Sequence, residues 1–336
     1  MRSRLAHLRV LIAGYTLTPK QYAWVAYVAL AALTLIVMTG AAVRLTGSGL
    51  GCPHWPKCYG NVYPPLTTHA LIEFSNRLVT VPVSIAAIAA WVLALRRRPY
   101  SRGLTRLALL LPLGVVGQAV LGGLTVRGDL DYGWVMGHFA LSMLVVAAAA
   151  ALAWRATYES GARALSADRS LVWLARAILG LAALTIFAGT AATAAGPHAG
   201  GSPGQKINRL DFDGRGTMDF VIHRHGEIAL VFGLVAVGLW WLVRQRSTDS
   251  VLQRSCTTLC VLIALQGAVG LDQYETHLPT ELVWVHVSLA CLTWIAALWA
   301  TFAAGSLQPQ TAASNDVAVA QSTAGRTVQT RPFPGN

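Results

Sequence analysis

The chain has 336 residues, 54% of them hydrophobic and only 12% charged, with 26 Lys+Arg against 14 Asp+Glu and a formal net charge of +12. Soluble domains carry about 25% charged residues, so this composition, with a mean hydropathy of +0.52, excludes an ordinary soluble domain and points to an integral membrane protein. The basic residues are scattered between apolar runs, which reads as a membrane-orientation signal and excludes a nucleic-acid surface.

Met1 to Lys20 is basic and interrupted, so no cleavable signal peptide is expected. Eight apolar spans follow, at about 23–43, 71–95, 104–125, 132–154, 170–193, 217–243, 252–271 and 281–304. Each is near the roughly 20 residues needed to cross a bilayer core. The second and sixth begin with polar residues, so hydropathy alone draws their starts poorly. Connections on one side (1–20, 96–106, 155–169, 244–254) carry 15 Lys and Arg, and those on the other (45–70, 126–131, 194–216, 272–280) carry 5. The positive-inside bias therefore predicts a multi-pass protein of the cell membrane with both termini cytoplasmic. Leu307 to Asn336, rich in Ala, Gln, Ser, Thr and Pro, reads as a disordered tail.

The first outer loop is the most distinctive stretch: Arg44-Leu-Thr-Gly-Ser-Gly-Leu-Gly-Cys52-Pro-His-Trp-Pro-Lys-Cys58. Its glycines and prolines exclude a helix. Two cysteines six apart on the oxidising side of a membrane are placed to form a disulfide. It reads either as a staple or as a redox pair exchanging with a partner thiol; the lack of a nearby resolving cysteine favours the staple. Cys256, Cys260 and Cys291 lie within spans and read as small core residues. The corresponding loop of the second half, 194–216, has no cysteine, and its His198 reads as solvated.

The chain repeats itself. Gln118 and His138 recur as Gln266 and His286, both displaced by 148 positions, and Gly40-Ala-Ala-Val recurs as Gly189-Thr-Ala-Ala, displaced by 149. Matching Asn76-Arg77 to His223-Arg224 gives 147. A period this long suits a duplicated half-protein. The expected fold is thus all-α, with eight transmembrane helices as two pseudo-symmetric four-helix bundles. The halves are 21–157 and 168–306, flanked by tails 1–20 and 307–336.

Asn76, His138, His223 and His286 all fall five or six residues inside the outer ends of their spans, roughly 8–10 Å deep at 1.5 Å per residue. Polar side chains there usually face a bundle interior. His223 and His286, on two helices of one half, offer the two imidazoles that six-coordinate haem iron takes. Bare zinc needs a third ligand, and His225, two residues from His223, points roughly 200° away on a helix. The first half offers His138 but has Asn76 in place of a second histidine. Glu73, one turn before Arg77, reads either as its i,i+4 ion-pair partner or as a catalytic acid or base.

Gly40-Ala-Ala-Val-Arg44-Leu-Thr-Gly-Ser-Gly through Cys58, then Ile72-Glu73-Phe-Ser-Asn76-Arg77, then the late histidines, resemble the haem A synthase family, in its actinobacterial-type branch. The resemblance covers about residues 25–304. It implies oxidation of the C8 methyl of haem O to a formyl group, giving haem A for haem-copper terminal oxidases. It also implies haem b held by His223 and His286, and substrate haem met by His138 with Asn76 and Arg77 nearby. Glu73 would be the catalytic carboxylate and Cys52–Cys58 a loop disulfide. Haem O synthase and terminal oxidase assembly factors become the expected partners. The sequence departs from the family's Glu-x-x-His-Arg pattern at Asn76. The alternatives are a b-type cytochrome exchanging electrons with quinone, an envelope thiol oxidase using Cys52 and Cys58, and a haem channel without chemistry.

Overall fold

The computed structural model describes residues 15–61, 63–158, 168–202, 204–212 and 216–305. Most of the expected N-terminal tail, the link between the halves and the tail expected from 307 onward lie outside the described residues. Among these residues there are eight helices of 25 to 30 residues: α1 Pro19–Leu45, α2 Thr68–Arg96, α3 Arg102–Arg127, α4 Tyr132–Thr157, α5 Arg169–Ala195, α6 Thr217–Arg246, α7 Ser250–Glu275 and α8 Thr280–Ala304. At 1.5 Å per residue each is about 37–45 Å long, enough to cross a hydrocarbon core of about 30 Å with turns to spare at the interfaces. All eight are apolar enough to cross a membrane.

The helices run a few residues beyond the spans read from hydropathy because their ends are set by capping. Thr18 forms a capping box with Gln21 ahead of Pro19. Ser101, Asp131, Asp168 and Asp249 each accept a hydrogen bond from the first turn of α3, α4, α5 and α7. Such caps satisfy N–H groups that hydropathy does not see. Pro82 and Pro112 sit inside α2 and α3, as neighbouring helices in a membrane bundle permit.

Helix neighbours form two closed rings. α1 packs on α2, α2 on α3, α3 on α4 and α4 on α1; α5 to α8 repeat the pattern. Between the rings, α4 meets α8, α1 meets α8 and α4 meets α5. The close approaches are lined by alanine at helical spacing: Ala87, Ala90 and Ala94 on α2, Ala149 and Ala153 on α4, Ala297, Ala300 and Ala304 on α8 are all buried. Small residues let backbones approach where lipid gives no hydrophobic drive for helix association. Two polar bonds pin these faces: Tyr22 Oη donates to Ala90 O within the first ring at 3.0 Å, and Trp294 Nε1 donates to Met143 O between α8 and α4, also at 3.0 Å.

At the end carrying the long loops the two rings are locked together. Gly49 N donates to Gly200 O at 2.9 Å, Ser202 Oγ to Gly47 O at 2.9 Å, and Asn208 Nδ2 to Asp131 Oδ2 at 2.6 Å. The backbones touch so closely that a Cβ on Gly47 would sit 2.9 Å from Gly201 O, and Gly47 has φ +65° besides, so a side chain there is excluded twice. His198, expected to be solvated, instead donates through Nε2 to Leu278 O at 2.8 Å, tying this loop to the α7–α8 turn.

Candidate functional site

Four polar side chains lie near the loop-bearing end, each opposite a glycine of a neighbouring helix. Asn76 on α2 faces Gly40 on α1; His138 on α4 faces Gly122 on α3; His225 on α6 faces Gly189 on α5; His286 on α8 faces Gly270 on α7. A Cβ on Gly122, Gly189 or Gly270 would lie 3.2, 3.1 or 3.0 Å from Cε1 of its histidine, and one on Gly40 would lie 4.0 Å from Asn76 Nδ2. A residue without a side chain lets a ring lie this close to the next helix without displacement. Asn76 and His225 are each eight residues into their helices, and His138 and His286 six.

This geometry changes one expected pair. Gly40 and Gly189 are 149 positions apart, and so are Asn76 and His225. The counterpart of Asn76 is thus His225, not His223. Two residues on a helix point roughly 200° apart, so only one of His223 and His225 can face inward. His223 is exposed, donates from Nδ1 to Asp219 O one turn back at 2.7 Å, and stands 6.3 Å from the ring of Tyr274. His225 faces His286, with ring centroids 6.2 Å apart and planes at 77°. Matching Arg77 to Arg224 selects His223; the displacement of Gly40 to Gly189 gives the register found in the fold.

The donor atoms fit a metal between these two rings. His225 Nδ1 donates to Thr185 O at 3.0 Å, which leaves Nε2 as the ring's free lone pair, the arrangement usual for ligating histidine. Two metal–nitrogen bonds of about 2 Å each, with the ring radii added, place imidazole centroids about 6 Å apart. Nδ1 of His138 is buried without a hydrogen-bond partner among the described residues, and His286 has the Gln266 backbone as its neighbour; both residues remain partly exposed, so the open edge of each ring is the opposite one. No group of three or more His, Cys, Asp or Glu able to hold a metal occurs among the described residues. Two facing imidazoles suit a metal whose other positions are filled by a macrocycle, as in haem.

The first ring is built differently. Asn76 Oδ1 accepts from Thr39 Oγ1 at 2.8 Å, so the carboxamide oxygen is committed to α1. His138 is braced from behind, where Gln118 Nε2 donates to its carbonyl at 3.1 Å and to Ser142 Oγ at 2.9 Å.

Above these residues the Cys52 loop closes over α2 and α3. Cys52 and Cys58 are bonded, with an S–S distance of 2.06 Å. Glu73, 6% exposed and the only buried acid among the described residues, accepts from Cys52 N through Oε2 at 2.7 Å and pairs through Oε1 with Arg77 Nη2 at 2.5 Å. Arg77 also donates to the carbonyls of Cys52 and His54 at 2.9 and 3.0 Å. Trp55 lies over Gly123, where a Cβ would come within 2.9 Å of its indole. Glu73 and Arg77 together fasten the loop beside His138 and its Gly122. The Glu73–Cys52 link and the Thr39–Asn76 bond escaped sequence reading, because neither spacing nor hydropathy marks which backbone a side chain reaches.

The chain matches the family described as COX15-CtaA, cytochrome oxidase assembly protein, over residues 23–71 and 66–298. It belongs to this family. A haem A synthase of Lysinibacillus sphaericus (strain C3-41) is 38% identical over 128 residues, which are 37% of this chain and 41% of that protein. A haem A synthase of Shewanella oneidensis is 25% identical over 320 residues, 81% of this chain and 93% of that protein. A protoheme IX farnesyltransferase of Thermus thermophilus is 29% identical over 279 residues, 78% of this chain and 45% of that protein. The chain thus spans less than half the length of the Lysinibacillus and Thermus proteins and nearly all of the Shewanella one.

Proposed function

We propose that this protein is a haem A synthase that oxidises the C8 methyl of haem O to a formyl group, giving haem A for haem-copper terminal oxidases. The observation that carries the reading is the asymmetry between the rings: His225 and His286 form a complete two-imidazole site, while the matching place beside His138 is filled by Asn76. Family membership and the relatives named haem A synthase support the same reaction. A relative named protoheme IX farnesyltransferase supports a farnesylated haem as substrate, supplied by haem O synthase; the product haem A then passes to terminal oxidase assembly factors.

In this reading the half 168–306 holds haem b through His225 and His286, which takes the place of the expected pair of His223 and His286. When bound, that haem would supply one-electron transfer, since stepwise oxidation of a methyl to a formyl group needs an electron acceptor or donor. The half 21–157 holds the substrate. His138 presents its open ring edge to the substrate haem iron, with Nδ1 turned away into the protein. Asn76, tied to Thr39, supplies no second imidazole. Glu73 is the catalytic carboxylate, accepting protons at Oε2 beside the Cys52 loop, and Arg77 fixes its position. The disulfide Cys52–Cys58 holds the loop in shape rather than exchanging electrons. The Lys and Arg bias supports a cell-membrane protein with both termini cytoplasmic.

The test is haem extraction from membranes with and without the gene, followed by chromatography. Haem A present only with the gene, and haem O accumulating without it, is the expected result. Unchanged haem A would sink the proposal.

A further inference from the structure

Arg44 is a charge that reaches out of its own half. It lies in the last turn of α1, one helical turn beyond Gly40 on the same face. Its counterpart in the second ring, 149 positions on, is the uncharged Thr193, one turn beyond Gly189. Arg44 does not stay in its own half. Its guanidinium crosses to α5 and donates from Nη2 to Thr193 O at 3.2 Å. Thr193 in turn donates from Oγ1 to the carbonyl of Gly189, the glycine against which His225 lies. The stem of Arg44 is roofed by the interlocked loops: a Cβ on Gly200 would sit 3.2 Å from its Cγ, and Leu130 packs on the same glycine.

The other half of the observation is what Arg44 lacks. Its Nε is buried and has no hydrogen-bond partner among the described residues. The carbonyl of Thr193 accepts only one of the five N–H donors of a guanidinium. Arg77, also at the loop-bearing end, is by contrast paired with Glu73 and bonded to loop carbonyls. A guanidinium N–H buried at a membrane bundle interior without an acceptor is costly, and a planar fork of this kind matches a carboxylate in two-point geometry. A haem carries two propionate carboxylates, and His225, which would hold it, lies against Gly189, one helical turn along α5 from the Thr193 carbonyl that Arg44 reaches.

We propose that Arg44, from the first half, binds a propionate carboxylate of the haem held by the second half. This rests on the haem b reading above. The consequence is that the C-terminal haem site is completed by a side chain of the N-terminal half. The strapped loops, with Gly49 bonded to Gly200 and Ser202 to Gly47, hold that side chain in place.

The experiment titrates ferric protohaem IX, and separately its dimethyl ester, into the full chain purified in detergent from haem-limited cells. Wild type, Arg44→Gln and Arg44→Lys are compared, with folding checked by size exclusion and thermal melting. A charge-assisted hydrogen bond contributes about a 10- to 100-fold effect on affinity. Wild type is expected to bind the free acid about tenfold or more tighter than the ester, and Arg44→Gln to lose that preference, with Arg44→Lys keeping part of it. The midpoint potential of the bound haem should fall in Arg44→Gln, because an uncompensated propionate favours the ferric state. Equal wild-type affinity for acid and ester would overturn the proposal even if Arg44→Gln failed to fold, and so would an Arg44→Gln protein with unchanged affinity and potential. A wild-type chain that gives no low-spin b-type signal would instead remove the haem reading itself, and this proposal with it.

Discussion

His225 and His286 stand ring to ring, centroids 6.2 Å apart, each resting on a glycine of the neighbouring helix. His223, two residues from His225, points away from them and bonds to its own helix at Asp219. The two positions therefore make opposite predictions. His225→Ala and His286→Ala should each abolish the low-spin b-type absorption of the purified protein, whereas His223→Ala should leave it within about twofold of wild-type haem content. Electron paramagnetic resonance of the oxidised protein checks this directly. A spectrum lost in His223→Ala and kept in His225→Ala would reverse the assignment.

Asn76 occupies in the first ring the place that His225 occupies in the second, against Gly40 as His225 is against Gly189. Asn76→His should therefore create a second two-imidazole site with His138. The expected outcome is additional low-spin signal when haem is loaded, up to about one further haem per chain. Replacing His138 by Ala in the Asn76→His background should remove the added signal and leave the original one.

Glu73 holds both the Arg77 guanidinium and the Cys52 amide. Glu73→Gln keeps an acceptor for the Cys52 amide but no longer exchanges protons. Its haem b spectrum should stay normal while haem A formation falls by 10²-fold or more, the typical contribution of a general acid or base being about 10²–10⁴. Glu73→Ala should in addition destabilise the fold by about 3 kcal/mol, since it leaves Arg77 without its anion. Haem A at wild-type level in Glu73→Gln would leave Glu73 as a loop anchor alone.

The bond between Cys52 and Cys58 closes a short loop, with a sequence separation of 6. Chain entropy assigns such a loop about 2–3 kcal/mol. The double variant Cys52→Ser, Cys58→Ser should melt earlier and retain part of its haem A formation. Loss of all turnover in a variant that melts like wild type would mean that the cysteines carry electrons.

Eight spans, a duplication near 148 residues and a glycine-rich loop with two cysteines were all legible in the sequence, as were the positions of Asn76, His138 and His286 near the outer ends of their spans. Length and composition set the spans, because a bilayer core demands about 20 apolar residues whatever the fold. The repeat shows itself because both halves keep the same glycines and glutamines at the same steps. Rotation of a helix about its axis is another matter. In a soluble protein the apolar stripe of a helix marks its inward face; in lipid the outward face is as apolar as the inward one, and the stripe vanishes. Thus the sequence could not decide whether His223 or His225 turns inward. Packing decided it, by setting Gly189 where only His225 reaches. The same holds for Arg44. Its charge was plain in the loop motif, but only the interlock of two loops 150 residues apart carries it across to Thr193, because a long side chain's partner is fixed by which backbones the fold brings alongside it.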